Sequence, residues 1–144
     1  MPSTGVPSMI PSMQNPRNLD VWHCALDLAA LAYEVTKHLP ADERFGLTSQ
    51  MTRAAVSIGS NIAEGCGRDG DREYLRFLHN AMGSAGELQF QLEVVKRLQL
   101  VPEDGLIAFE KTLGQTRAML SRLILSIRRR SESLADERPK RVSR

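Results

Sequence analysis

Aromatic residues make up only 5% of this 144-residue chain: one Trp, two Tyr and four Phe. So few rings exclude a core built around large aromatics and leave little for stacking on nucleic-acid bases. Cysteine is scarcer still, with Cys24 and Cys66 alone and neither CxxC nor metal-ligand spacing. Both are expected to be reduced thiols, Cys66 being an unreactive one in a flexible glycine loop. The histidines His23, His38 and His79 are preceded at three residues by Asp20, Val35 and Arg76. A di-iron bundle needs inward-facing Glu-x-x-His pairs, so neither a metal site nor a cofactor is expected. GxSxG, P-loop and HExxH motifs are absent, and Gly65-x-Gly67 follows no strand, so nothing points to an enzyme. No apolar run reaches the roughly 18–20 residues that a membrane span requires. The N-terminus lacks the charged and apolar regions of a signal peptide. A cytoplasmic protein is expected.

Proline is confined to a few places. Pro2, Pro7, Pro11 and Pro16 sit among Ser, Thr, Gly and Asn in residues 1–18, a stretch with too little apolar surface to repay ordering. It is expected to be a flexible leader. Between Asp20 and Leu134 only Pro40 and Pro102 occur, and helix interiors exclude proline. The length suits one domain, here residues 19–131, followed by a basic tail over 132–144.

What is present is helical periodicity. The first helix is expected over about 20–38, with Trp22, Leu26, Ala29 and Tyr33 as its core seam and Asp20 as N-cap or first-turn acid. A second runs over about 47–65 through Leu47, Met51, Ala54, Ile58 and Ile62. A third, about 70–98, carries Tyr74, Leu78, Ala81, Ala85, Leu88, Leu92 and Val95. A fourth, about 103–131, carries Leu106, Phe109, Leu113, Thr116, Leu120, Leu123 and Ile127, with Pro102 in its first turn. No strand pattern competes. Short connections favour antiparallel neighbours, so the expected architecture is an all-α, up-down-up-down, left-handed four-helix bundle.

Polar residues interrupt this pattern. Ser57, Asn61 and Glu64 form a stripe beside Ile58 and Ile62, and Ser84 and Glu87 are similarly spaced on the third helix. A buried polar network between helices two and three is the structural reading, with Glu64 or Glu87 paired to Arg53 or Arg76. Gly59, Gly83 and Gly86 each cost a helix about 1 kcal/mol relative to alanine. Close approach of another helix is the usual reason for such glycines. A second apolar surface also remains: Phe90 and Val94 lie away from the Leu78–Leu92 seam, and Val21, Leu28 and Val35 make a stripe beside Trp22. Large exposed apolar patches mark interfaces, so Phe90, Val94, Leu28 and Val35 are candidate contacts of a homo-oligomer.

Charge is uneven. Residues 17–127 sum to −2, whereas residues 128–144 carry seven basic and three acidic side chains. Arg68, Arg72 and Arg76 form one basic set and Arg128, Arg129 and Arg130 open another. A solvated helix end accounts for such charges; contact with nucleic-acid phosphates is the sharper alternative.

Several ordered motifs resemble one known family. They are Pro40-x-x-Glu43-Arg44, Leu47-Thr-Ser-Gln50, Arg53-Ala54, Ser57-Ile58-x-Ser60-Asn61-Ile62-Ala63-Glu64-Gly65-x-Gly67-Arg68, and Phe77-Leu78-x-x-Ala81-x-Gly83-Ser84-x-x-Glu87-Leu88. The chain resembles, over about 19–127, the bacterial proteins first noticed in intervening sequences of large-subunit ribosomal RNA genes. It departs at Gly59, where proline is common, and at Cys66, where an aromatic is common. The resemblance implies a closed left-handed bundle, a ring-like homopentamer and no catalytic residues. It also implies kinship to accessory proteins of retroelement reverse transcriptases. Two function classes follow. One is a nucleic-acid-associated oligomeric accessory or scaffold protein, with RNA, DNA or a reverse transcriptase as partners. The other is a protein-binding adaptor with no nucleic-acid contact.

Overall fold

The computed structural model describes residues 15–137. Most of the expected leader, residues 1–14, and the tail arginines and lysine Arg138, Lys140, Arg141 and Arg144 lie outside that range. The described part is all-α: α1 (Asp20–Thr36), α2 (Leu47–Cys66), α3 (Asp71–Arg97) and α4 (Ile107–Asp136), with no strand among the described residues. Each helix packs on two others, α1 and α3 both lying against α2 and α4. The end of α2 meets the start of α3 where Gly65 abuts Tyr74 and Phe77. Lys96 bonds Glu110 where α3 gives way to α4, while Asp71 and Arg130 join the far ends of the same two helices.

Described structure begins inside the stretch expected to be the leader, residues 1–18. Pro16–Asn18 form a short 3-10 turn in which the Asn15 side chain accepts from the Arg17 amide at 3.1 Å. The His23 Nε2–H then donates to the Arg17 carbonyl at 2.8 Å, tying this turn to α1. Asp20 is the first helical residue, favourable to the helix dipole, and makes no cap. Pro102 is likewise outside α4, preceding a 3-10 turn, Glu103–Leu106, that leads into it. Gly70, with φ 87°, takes the left-handed conformation that starts α3. Gln99 does the same at the other end with φ 53°. There the Gln99 amide bonds the Lys96 carbonyl and the Leu100 amide bonds the Val95 carbonyl, a Schellman closure made without glycine.

Seams assigned to α2 and α3 lie in the core from Met51 to Ile62 and from Tyr74 to Val95. On α4, Ile124 rather than Leu123 is the buried member near the end. The correction of consequence is on α1. Val21, Ala25, Leu28, Ala32 and Val35 are buried, while Leu26 and Tyr33 are 55% and 54% exposed. Leu28 and Val35 are therefore core residues and not available as oligomer contacts. Both stripes are apolar and differ by one step around the helix, so periodicity alone cannot rank them. Packing does: small Ala25 and Ala32 let α1 approach α2, a Cβ built on Gly59 falling 3.7 Å from Ala25. Bulky Trp22, Leu26 and Tyr33 would hold the helices apart.

Candidate nucleic-acid interface

The polar stripe does join α2 to α3, at half-buried rather than buried positions. The Ser57 and Ser84 hydroxyls bond at 2.8 Å, and Asn61 Nδ2 donates to the Ser57 carbonyl at 2.8 Å and to its hydroxyl at 3.0 Å. Glu64 is not part of it: its partner is Arg68 at 2.6 Å, neither Arg53 nor Arg76. Glu87 only receives a long bond from Gln91, at 3.5 Å. A further polar link, between α1 and α4, has no sequence signal: Cys24 Sγ lies 3.2 Å from Thr116 Oγ1, which donates to the Thr112 carbonyl. Of the glycines, Gly83 and Gly86 have nothing within 4 Å of a built Cβ. Close packing among the described residues does not explain them.

Cys66 is the last residue of α2 and fully buried, not a loop thiol. Burial pushes its thiol up, opposed by the hydrogen bond it shares with the Tyr74 hydroxyl, Sγ to oxygen 3.6 Å. Among the described residues no cluster of three or more His, Cys, Asp or Glu could hold a metal. No helix there is long and apolar enough to cross a membrane.

The two basic sets, more than fifty positions apart in sequence, meet at one end. The reason is that α4 packs against α3 with its end beside the start of α3, and Arg128–Arg130 lie on that end; the helix, expected to stop near 131, continues to Asp136. Arg128 Nη2 donates to His79 Nε2 at 3.1 Å, linking the end of α4 to α3. Arg130 forms a fork on Asp71, at 2.5 and 3.1 Å, with the Asp71 side chain only 9% exposed. That makes Arg130 a strut between α3 and α4, so this candidate phosphate contact is already engaged by a carboxylate. Arg72, Glu73, Leu75, Arg76, His79 and Ser131 line a surface groove of about 850 Å³.

The basic set is also less free than its sequence suggests. Arg76 lies on Glu73 at 3.1 and 3.2 Å, and this fork holds the Glu73 carboxyl below its usual range. Arg68 is held by Glu64. Arg72 and Arg129 are exposed and form no ion pair among the described residues. One aromatic was missed: Phe77 sits under the Arg68 and Arg76 guanidinium groups, 5.0 and 4.4 Å from its ring centre. Its adjacency to Arg76 was a weak signal; the approach of Arg68 across the α2–α3 turn had none.

Exposed apolar side chains gather elsewhere. Phe90 is 70% exposed and, with half-buried Val94 and exposed Leu98, lines a second groove of about 640 Å³. Phe45, in the α1–α2 connection, and Ile107, the first residue of α4, are exposed as well. A third, apolar groove between α1 and α2 is lined by Trp22, Leu26, Ala29, Val56, Gly59 and Ala63, with a volume of about 280 Å³.

Similarity to known proteins bears on the fold and the family. A protein with unknown function from the S23 ribosomal protein family of Bacteroides thetaiotaomicron has a similar structure, with TM-score 0.67 and 22% identity. The alignment covers 72% of this chain and 97% of that one, and at this identity it speaks to the fold alone. No curated protein matches the sequence. The family described as 23S rRNA-intervening sequence protein matches residues 17–122, and the chain belongs to that family.

Proposed function

We propose that this protein is a non-enzymatic, homo-oligomeric scaffold whose basic end contacts the phosphates of RNA or DNA. The observation that carries the reading is the meeting of Arg72 and Arg76 on α3 with Arg128 and Arg129 on the ordered end of α4. A helix holds these groups at fixed spacing, which a tail would not. Residues 138–144, with four more basic side chains, follow directly on that end of the chain. Phosphate contact without base reading suits the site, since no groove-reading motif or open aromatic platform accompanies the arginines.

Assembly belongs to the same reading. We propose an up-down-up-down, left-handed bundle that closes into a pentameric ring, the number coming from the family resemblance. The exposed face of Phe90 and Val94 and the Trp22–Leu26 groove supply two different apolar surfaces, as head-to-tail contacts require. A ring repeats a weak basic set and multiplies its contacts by avidity. Light scattering at micromolar concentration should then give five 16.0-kDa chains, about 80 kDa, and a 16-kDa particle would overturn the ring. The cytoplasm is the proposed location, and a reverse transcriptase is one protein that such a ring could serve.

The test is retardation of RNA and DNA over a salt series. Replacing Arg72, Arg128 and Arg129 by Ala, while sparing the Arg130 strut, should weaken binding about equally across sequences. The slope of log affinity against log salt should become shallower by roughly 0.7–0.9 for each phosphate that is no longer neutralised. If the wild-type oligomer retards no nucleic acid at low salt, the second reading takes over: a protein-binding adaptor. That reading is favoured by one observation, the exposure of Phe45, Phe90, Leu98 and Ile107, at 89%, 70%, 60% and 65%.

A further inference from the structure

Phe77 is half-buried on α3 because α2 offers it a glycine: a Cβ at Gly65 would fall 3.1 Å from the Phe77 Cβ. Two guanidinium groups lie over the ring that this packing fixes, Arg76 from its own helix and Arg68 from the α2–α3 turn. Each is held on its other side by a carboxylate, Glu64 on Arg68 and Glu73 on Arg76. The result is an ordered array, Glu64–Arg68–Phe77–Arg76–Glu73, across the α2–α3 turn.

We propose that Phe77 is a positioning residue that holds Arg68 and Arg76 as a paired phosphate clamp, from which a phosphodiester displaces Glu64 and Glu73. The inference rests on the nucleic-acid reading above and assigns its chemistry. A free surface arginine loses much rotamer freedom when it binds, and an arginine already seated on a ring has less to lose. Both carboxylates are taken by the planar guanidinium donors that also fit phosphate oxygens. Their side chains are 53% and 43% exposed, and exposed ion pairs of this kind are weak and screened by salt. Exchange of carboxylate for a polyanion is therefore accessible. The array also explains why the ring is no base-stacking platform: guanidinium groups already cover it. Binding through the clamp reads phosphate, not sequence.

Fluorescence anisotropy of labelled homopolymer RNA and DNA on the full-length protein tests this, with thermal melting as the check on folding. Phe77→Leu keeps the net charge and should lose affinity by about fivefold or more, as expected when two arginine side chains must be ordered on binding. Phe77→Tyr should retain it. Glu64→Gln with Glu73→Gln should bind more tightly, and that gain should shrink in the Phe77→Leu background. A gain of equal size in both backgrounds is plain charge and overturns the clamp. Phe77→Leu binding as wild type, with an equal salt slope, also overturns the clamp while leaving the nucleic-acid reading standing. Wild-type protein that binds neither polymer overturns both. Should Phe77→Leu fail to fold, Arg68→Lys with Arg76→Lys replaces it: the charge stays, the planar fork goes, and the same loss is expected.

Discussion

Leu28→Ala is expected to lower unfolding stability by about 2–5 kcal/mol, while Leu26→Ala changes it by no more than about 0.5 kcal/mol. Leu28 is wholly buried and Leu26 is 55% exposed, although two positions separate them. Truncating Leu28 removes transfer free energy and leaves a cavity in the core, which Ala25 and Ala32 on the same face of α1 are too small to fill. Urea unfolding of each variant measures the difference. If Leu26→Ala were the costly change, the core seam of α1 would run through Trp22 and Tyr33 and the helix would have to be rotated. The same pair informs on assembly. A Leu26→Ala protein that keeps its stability but loses mass in light scattering places the α1–α2 groove in the subunit contact.

The glycines should divide in sign. Gly65→Ala is expected to destabilise by about 1–3 kcal/mol, because overpacking forces a shift of its neighbours. The new methyl would lie 3.0 Å from the Tyr74 ring and 3.1 Å from the Phe77 Cβ, and Gly65 is itself buried. Neither neighbour can give way cheaply, since Tyr74 is wholly buried and the Phe77 contact is at the root of its side chain. Gly83→Ala and Gly86→Ala meet nothing within 4 Å and should each raise the stability of the single chain by up to about 1 kcal/mol. Thermal unfolding reads both directions. A stabilising Gly65→Ala would mean that the α2–α3 contact is looser than its geometry. Should Gly83→Ala stabilise the chain yet lower its oligomeric mass, a neighbouring subunit is what needs the glycine.

Four helices and most of three seams were legible in the chain. Regular apolar spacing and two interior prolines leave few alternatives, and the α3 residues from Tyr74 to Val95 entered the core as their spacing required. The candidate site was legible only as two separate sets of arginines. Local sequence carries propensity and period, which are properties of one helix at a time. It therefore determined where helices form, that the chain has few rings to stack with, and where positive charge lies along its length.

Tertiary structure decided the rest, for one physical reason: these choices depend on what faces a residue across a gap. Which of two apolar stripes on α1 turns inward was settled by the small side chains that allow close approach to α2. How far α4 continues past its last core residue goes with the Asp71–Arg130 pair, formed between residues 59 positions apart. That pair removed Arg130 from the free cations, as Glu64 and Glu73 did in part for Arg68 and Arg76. Phe77 became the seat of two arginines only because Gly65 leaves room beneath it. Charge along the chain was a matter of sequence; which charges stand free was a matter of packing.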